Sequence, residues 1–106
     1  MDKPYRRYEV LLPLRFNDGE SVPDNLISET LLELRERFGA VSCESQTTSG
    51  LWQHEGHVYR DDLIRVYVDV PDLPEHRAFF RTFKAQLLLR FRQIDIWLTS
   101  YVLDVL

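Results

Sequence analysis

Two tetrapeptides, Ser21-Val22-Pro23-Asp24 and Asp72-Leu73-Pro74-Glu75, open two helices by one design, and this repetition limits the fold more than any other feature of the chain. In each, a short polar residue is followed by an apolar one, a proline and an acid. The polar side chain can accept from the free amides of a first turn, the proline there forfeits no bond the helix needs, and the carboxylate complements the helix dipole. After the first start, Ile27, Leu31, Leu34 and Phe38 recur at helical spacing, and Gly39 stands where a left-handed terminating residue is wanted. After the second, Phe80, Phe83, Leu87 and Phe91 form one face and Arg77, Arg81, Lys84 and Arg92 another. Glu29, Glu33 and Glu36 give the first helix an acidic stripe, opposite in sign to the second, and a simple solvated face accounts for it.

Strand patterns flank both helices. From Tyr5 to Phe16, Tyr8, Val10, Leu12, Leu14 and Phe16 alternate with Arg7, Glu9, Leu11, Pro13 and Arg15, the period of a half-buried strand. Pro13 cannot donate to a ladder, so the strand must end there, bulge there, or turn that side outward. Asn17-Asp18-Gly19 then makes a turn. Between the helices, two strand-like runs, Ala40 to Thr48 and Leu63 to Val70, are joined by a long polar and aromatic connection. Ile94 to Leu106, rich in β-branched and aromatic residues, is the last strand. Two consecutive strand-helix-strand units with right-handed crossovers interleave into one sheet. The prediction is a ferredoxin-like βαββαβ two-layer α+β sandwich, a four-stranded antiparallel sheet with two helices on one face. A two-layer α+β sheet of different strand order is the alternative.

A chain of 106 residues has room for one core, so a single domain over 1–106 is expected. Its 44% hydrophobic and 28% charged fractions are those of a soluble globular protein. The net charge of -4 repels a phosphate backbone, which disfavours nucleic acid in spite of the basic stripe. The RNA-recognition signature is also missing from Leu63-Ile64-Arg65-Val66-Tyr67-Val68, where glycine and two spaced aromatics are required. Cys43 is alone and cannot form an intramolecular disulfide, nothing at the start resembles a secretion signal, and no apolar run nears the roughly 20 residues of a membrane span. A reduced, cytoplasmic protein without a membrane span is expected.

In this plan the second face of the sheet has no helix over it. With Ile64, Val66, Val68 and Val70 turned to the helices, the other side shows Leu63, Arg65, Tyr67 and Asp69, joined by Leu11, Trp97 and Tyr101 from neighbouring strands. So much exposed apolar surface marks an interface or a ligand site, and a two-fold homodimer through this open face is the commonest solution.

The densest set of chemically capable side chains lies in the central connection: Trp52, His54, Glu55, His57, Tyr59, Arg60, Asp61 and Asp62. His54-Glu55-Gly56-His57 brings two imidazoles near a carboxylate, which would suit a divalent metal. Gly56 argues for a turn, however, and surface turn histidines are the simpler account, so no metal or other cofactor is expected. Tyr59, Arg60, Asp61 and Asp62 contain an acid, an anion clamp and a base. Adjacent strand residues face opposite ways, so the two carboxylates do not converge, and an Arg-Asp cross-strand pair beside a hairpin is the structural explanation. Trp52, after Gly50, is placed either to stack on a ligand or to plug an interface. Cys43 has no helix start or base beside it, so it is read as a buried structural residue rather than a nucleophile. No glycine-rich phosphate loop is present.

Asn17-Asp18-Gly19, Gly50-Leu51-Trp52-Gln53-His54-Glu55-Gly56 and Ile94-Asp95-Ile96-Trp97-Leu98-Thr99-Ser100-Tyr101 resemble a small bacterial family of uncharacterised domains of this length with a ferredoxin-like plan. The resemblance covers nearly the whole chain; it implies a stand-alone domain and brings no activity with it. The functional expectation is a dimeric binding or interaction module, taking a protein or small-molecule partner through Trp52, His54, His57, Tyr59, Arg60, Asp62, Tyr67 and Trp97. Two alternatives remain: a small dimeric α+β barrel-type enzyme with a pocket near Trp52, His57, Tyr59 and Arg60, and a metal-binding module using His54 and His57.

Overall fold

The computed structural model describes residues 4–44 and 47–106. In chain order the elements are β1 (Tyr5–Pro13), α1 (Asp24–Phe38), β2 (Ser42–Cys43), β3 (Thr48–His54), β4 (His57–Pro71), α2 (Pro74–Arg90) and β5 (Leu98–Leu103). The sheet runs β2-β4-β1-β5, every pairing antiparallel, and β3 pairs with β4 farther along the edge that β2 occupies. This is the ferredoxin-like plan with a fifth strand added.

The alternation read from the sequence sets the two layers. Tyr8, Val10 and Leu12 of β1 and Val66, Val68 and Val70 of β4 are buried beneath the helices. Phe80, Phe83 and Leu87 of α2 close over them, with Phe91 just past its end and Leu34 from α1. Tyr8 stacks on Phe80 with ring centres 4.2 Å apart, and Phe38 stacks on the same Phe80 at 5.3 Å, so both helices meet the sheet through one aromatic group. The helices are also tied by a polar contact. Thr30, fully buried, donates to the Leu26 carbonyl at 2.7 Å and accepts from Arg90 at 2.9 Å, while Arg90 lies 3.0 Å from Glu33. The acidic stripe of α1 thus meets α2 through Arg90.

Several boundaries differ from expectation. The central connection is not a loop but a β-hairpin: β3 folds back on the first half of β4 through Glu55-Gly56, both with positive φ, 49° and 79°. That is the geometry of a two-residue turn whose twist suits a hairpin, and glutamate there is an unusual occupant that weakens the sequence signal. The expected Ala40–Thr48 strand is reduced to β2 and the start of β3; Ser45 and Gln46 lie outside the described residues. The last strand begins at Leu98 rather than Ile94, because α2 ends in a 2.9 Å bond from the Gln93 amide to the Leu88 carbonyl and the chain needs the next residues to reach the sheet. Neither helix has a side-chain cap: Pro23 and Leu73 hold the cap positions, Ser21 bridges to Arg15, and Asp72 is drawn to Arg6. Gly39 does end α1 in the left-handed region, its amide bonded to the Arg35 carbonyl. Cys43 is exposed on the edge strand rather than buried, and partial desolvation, helped by Glu44, pushes its thiol pKa up.

Leu87 is fully buried, so Leu87→Ala is expected to destabilise the domain by about 2–5 kcal/mol, read from the denaturant midpoint. A second prediction concerns acid. The hydrogen bond from Arg6 holds the Asp72 carboxyl below its ordinary value, against desolvation and with help from the charges of Arg6 and Arg77. A depressed carboxyl gives its full contribution above the unfolded value of about 4 and loses it as the pH falls through the folded value. Asp72→Asn should therefore be less stable than the parent at neutral pH and lose less on acidification, measured by denaturation at paired pH values.

Candidate ligand cleft on the open sheet face

The face of the sheet away from the helices has two unlike halves. In the first, Arg7 donates to both oxygens of Asp69 at 2.7 and 3.0 Å and lies 4.2 Å from the centre of the Tyr67 ring. Tyr101 donates to Glu9 at 2.7 Å, and Arg65 sits between Glu9 and Glu44 at 3.8 and 3.3 Å. The Asp69 contact pushes the Arg7 guanidinium pKa upward, and the bond to the Glu9 carboxylate does the same for the Tyr101 phenol. This half is a charged lattice rather than the apolar surface expected from sequence.

The second half is apolar because of Pro13. Along β1 the Leu11 amide bonds to the Trp97 carbonyl at 3.1 Å and the Leu14 amide to the Asp62 carbonyl at 2.8 Å, so donors alternate between the two neighbouring strands. At position 13 an N–H would point toward β5, beyond the last contact at Trp97, where no strand continues. Proline loses nothing there, and the missing strand leaves a cleft of about 330 Å³. Leu11, Pro13 and Leu63 line its sheet side, Trp97 stands on the β5 side, and Trp52 with Asp61 comes from the hairpin arm. Gly50 keeps the arm close, since a Cβ on it would lie 3.2 Å from the end of the Leu63 side chain.

The arm positions Trp52 by two contacts. Its indole Nε1 donates to the Asp61 carboxylate, and its ring stacks on Tyr59 with centres 4.3 Å apart and planes 17° from parallel. The β3–β4 register puts Trp52, His54, His57, Tyr59 and Asp61 on the open face and Arg60 and Asp62 on the other. Arg60 is exposed opposite Leu51, and the Arg-Asp contact is made by Arg15, 3.8 Å from Asp62. Tyr67 lies in the charged half, under Arg7, and Trp97 is two-thirds exposed at 66%. His54 and His57 form the last pair before the turn, with Glu55 3.7 Å from His54. Among the described residues no group of three His, Cys, Asp or Glu side chains is close enough to hold a metal ion.

Leu11 and Leu63 lie on the open apolar face expected from sequence, whereas Pro13 as part of the floor and the hydrogen-bond role of Asp61 are absent from that reading. Pro13 was the available signal: a proline ending a central strand marks where a neighbour stops.

No family model matches the chain, and no curated protein matches it. Solved structures do. A phage SAM lyase in complex with S-methyl-5'-thioadenosine superposes with a TM-score of 0.72 at 11% identity, covering 99% of this chain and 93% of that one. A phage SAM lyase in its apo state gives 0.61 at 16% identity over 98% and 86%. CutA from Synechococcus elongatus gives 0.61 at 7% identity over 96% and 79%. At these identities the likeness is one of fold. No helix among the described residues is long and apolar enough to cross a membrane.

Because the arm lies outside the core, Tyr59→Ala is expected to change Trp52 fluorescence in a Trp97→Phe background while costing no more than about 1.5 kcal/mol of global stability. A loss comparable to that of a core truncation would show that the arm and core unfold together.

Proposed function

We propose that this protein is a small, cytoplasmic, self-associating binding module whose open-face cleft receives a flat-ringed small molecule of the nucleoside class. The cleft itself carries the reading: two indoles, Trp52 and Trp97, flank an apolar floor beside two carboxylates, Asp61, bonded to the Trp52 indole, and Asp95, paired with Lys84, and its volume lies at the lower end of the range of small-molecule sites. Indole faces suit a planar base, and an aromatic wall with a nearby carboxylate suits a ligand that also carries positive charge. The similarity in fold to a phage enzyme held with S-methyl-5'-thioadenosine supports the choice of ligand class. The ordered charges of Arg7, Glu9, Arg65 and Asp69 present both signs on one face, which supports a second copy of the chain as the partner for the remainder of that face. A free, exposed Cys43 fits a reducing compartment.

A second reading, an enzyme acting on a nucleoside sulfonium, is favoured by the carboxylates of Asp61 and Asp95 in a mostly apolar wall and by the two phage SAM lyases of the same fold. It differs from the alternative drawn from sequence in its residues: Arg60 faces away from the cleft.

Titration with S-methyl-5'-thioadenosine, followed by tryptophan fluorescence, tests the binding proposal. Saturable quenching, weakened about tenfold or more in Trp97→Ala, is expected from the loss of one stacking partner. Absence of quenching at millimolar ligand overturns it. Incubation with SAM separates the two readings: bound but unchanged SAM supports the module, and release of S-methyl-5'-thioadenosine supports the enzyme. Light scattering after size exclusion reads self-association, and a monomer removes that part of the proposal.

A further inference from the structure

The opposite side of the sheet holds a second recess, of about 170 Å³, between α2 and β5. Arg77, Arg81 and Lys84 reach it from successive turns of α2, Thr99 and Ser100 from β5, and Tyr8 from β1 beneath. Arg6 adjoins it, donating to the Ser100 hydroxyl at 3.1 Å. Two of these cations are already paired, Arg6 with Asp72 at 2.9 Å and Lys84 with Asp95 at 3.0 Å. Arg77 and Arg81, both exposed, form no ion pair with a carboxylate among the described residues.

Tyr8 supplies an independent observation. The residue is 4% exposed, its ring is fixed against Phe80, and its hydroxyl is buried with no hydrogen-bond partner among the described residues. A buried hydroxyl left unpaired costs free energy that phenylalanine at the same position would avoid, and a native structure rarely retains one without a reason. Here the residue that carries the unpaired hydroxyl lines a recess that Arg77 and Arg81, without an ion-pair partner among the described residues, line as well.

We infer that this recess binds the phosphoryl group of a small phosphate ester, with Arg77 and Arg81 as the charge clamp and the hydroxyls of Tyr8 and Ser100, whose side chains the register turns to the helix side, completing its hydrogen bonds. Guanidinium groups present forked donors that match the oxygens of a phosphate. Two forks and two hydroxyls exceed what a carboxylate's two oxygens can use, whereas a tetrahedral phosphoryl group engages donors from several directions. The volume of about 170 Å³ matches that group with a small substituent. The excess of acidic residues in the chain works against a long polyanion. The site does not rest on the function proposed for the open-face cleft, although the ion pair between Lys84 of the recess and Asp95 of the cleft joins the rims of the two.

The test is a titration of ¹⁵N-labelled full-length protein with glycerol 3-phosphate, inorganic phosphate and sulfate, followed by amide shifts at Arg81, Thr99 and Ser100. Saturable shifts are expected with both phosphates, and tighter binding of the ester distinguishes an ester site from one for free phosphate. Arg77→Gln with Arg81→Gln should weaken binding about tenfold or more, since each removes charge-assisted hydrogen bonds. These residues are exposed, so the fold is not at stake. Tyr8→Phe keeps the ring on Phe80 and should weaken binding several-fold, while Trp97→Ala in the other cleft should leave it unchanged. Shifts that fail to saturate, equal affinity for sulfate and phosphate in parent and double variant, or a single-stranded oligonucleotide that binds more tightly than the ester and is indifferent to Tyr8→Phe would each overturn the assignment.

Discussion

The register of β4 is the constraint on which the rest of the molecule depends. Its second half pairs with β1 on one side and β2 on the other, while its first half, beyond the Pro13–Leu63 pair, has only β3. Side chains alternate along a strand without exception for function, so the phase that buries Val66, Val68 and Val70 also commits Leu63, Asp61 and Tyr59 to the opposite face. Core and cleft are therefore two readings of one alternation. A slip of one residue would put Arg65 and Asp69 beneath the helices and Val66 in water, and the cost of the first alone makes the register strongly preferred.

The charged side chains follow a related economy. Arg7 with Asp69, Arg65 with Glu9, Arg6 with Asp72, Lys84 with Asp95, Arg90 with Glu33 and Arg15 with Asp62 join residues distant in sequence. Exposed pairs of this kind add little stability each. Their larger effect is to decide where positive charge remains available in an acidic protein. The basic stripe of α2 that looks continuous in the sequence is cut down in this way: Lys84 is engaged by Asp95, and Arg92 turns with the chain to lie 3.7 Å from the Phe16 ring.

The layers and both helices were legible in the sequence because their signals are periodic and long. Tyr8, Val10 and Leu12, and Phe80, Phe83, Leu87 and Phe91, each announce a buried face by spacing alone. The open face was legible as a position but not as a surface, since Arg7, Glu9, Arg65 and Asp69 become a lattice only once strands far apart in the chain are set in register. The arm was hidden by its turn: Glu55 in a left-handed conformation lacks the asparagine or aspartate that usually marks such a hairpin. The helix starts misled in detail for a similar reason, as Asp72 had a stronger partner in Arg6 than in the free amides of α2.

The hairpin arm also divides the molecule mechanically. Beyond Leu63 it is a two-stranded ribbon, with Leu51 75% and Val58 70% exposed, and ribbons of that kind are marginal when nothing packs on them. Opening it removes none of the aromatic packing between helices and sheet, so it lies at the low end of the local unfolding scale while the core lies at the high end. One wall of the cleft, carrying Trp97, is anchored to the body and the other, carrying Trp52, breathes. For a guest of the proposed site, the rate of entry and exit would thereby be decoupled from the melting of the domain, and selection could tune residence time in the arm without touching the residues that keep the protein folded.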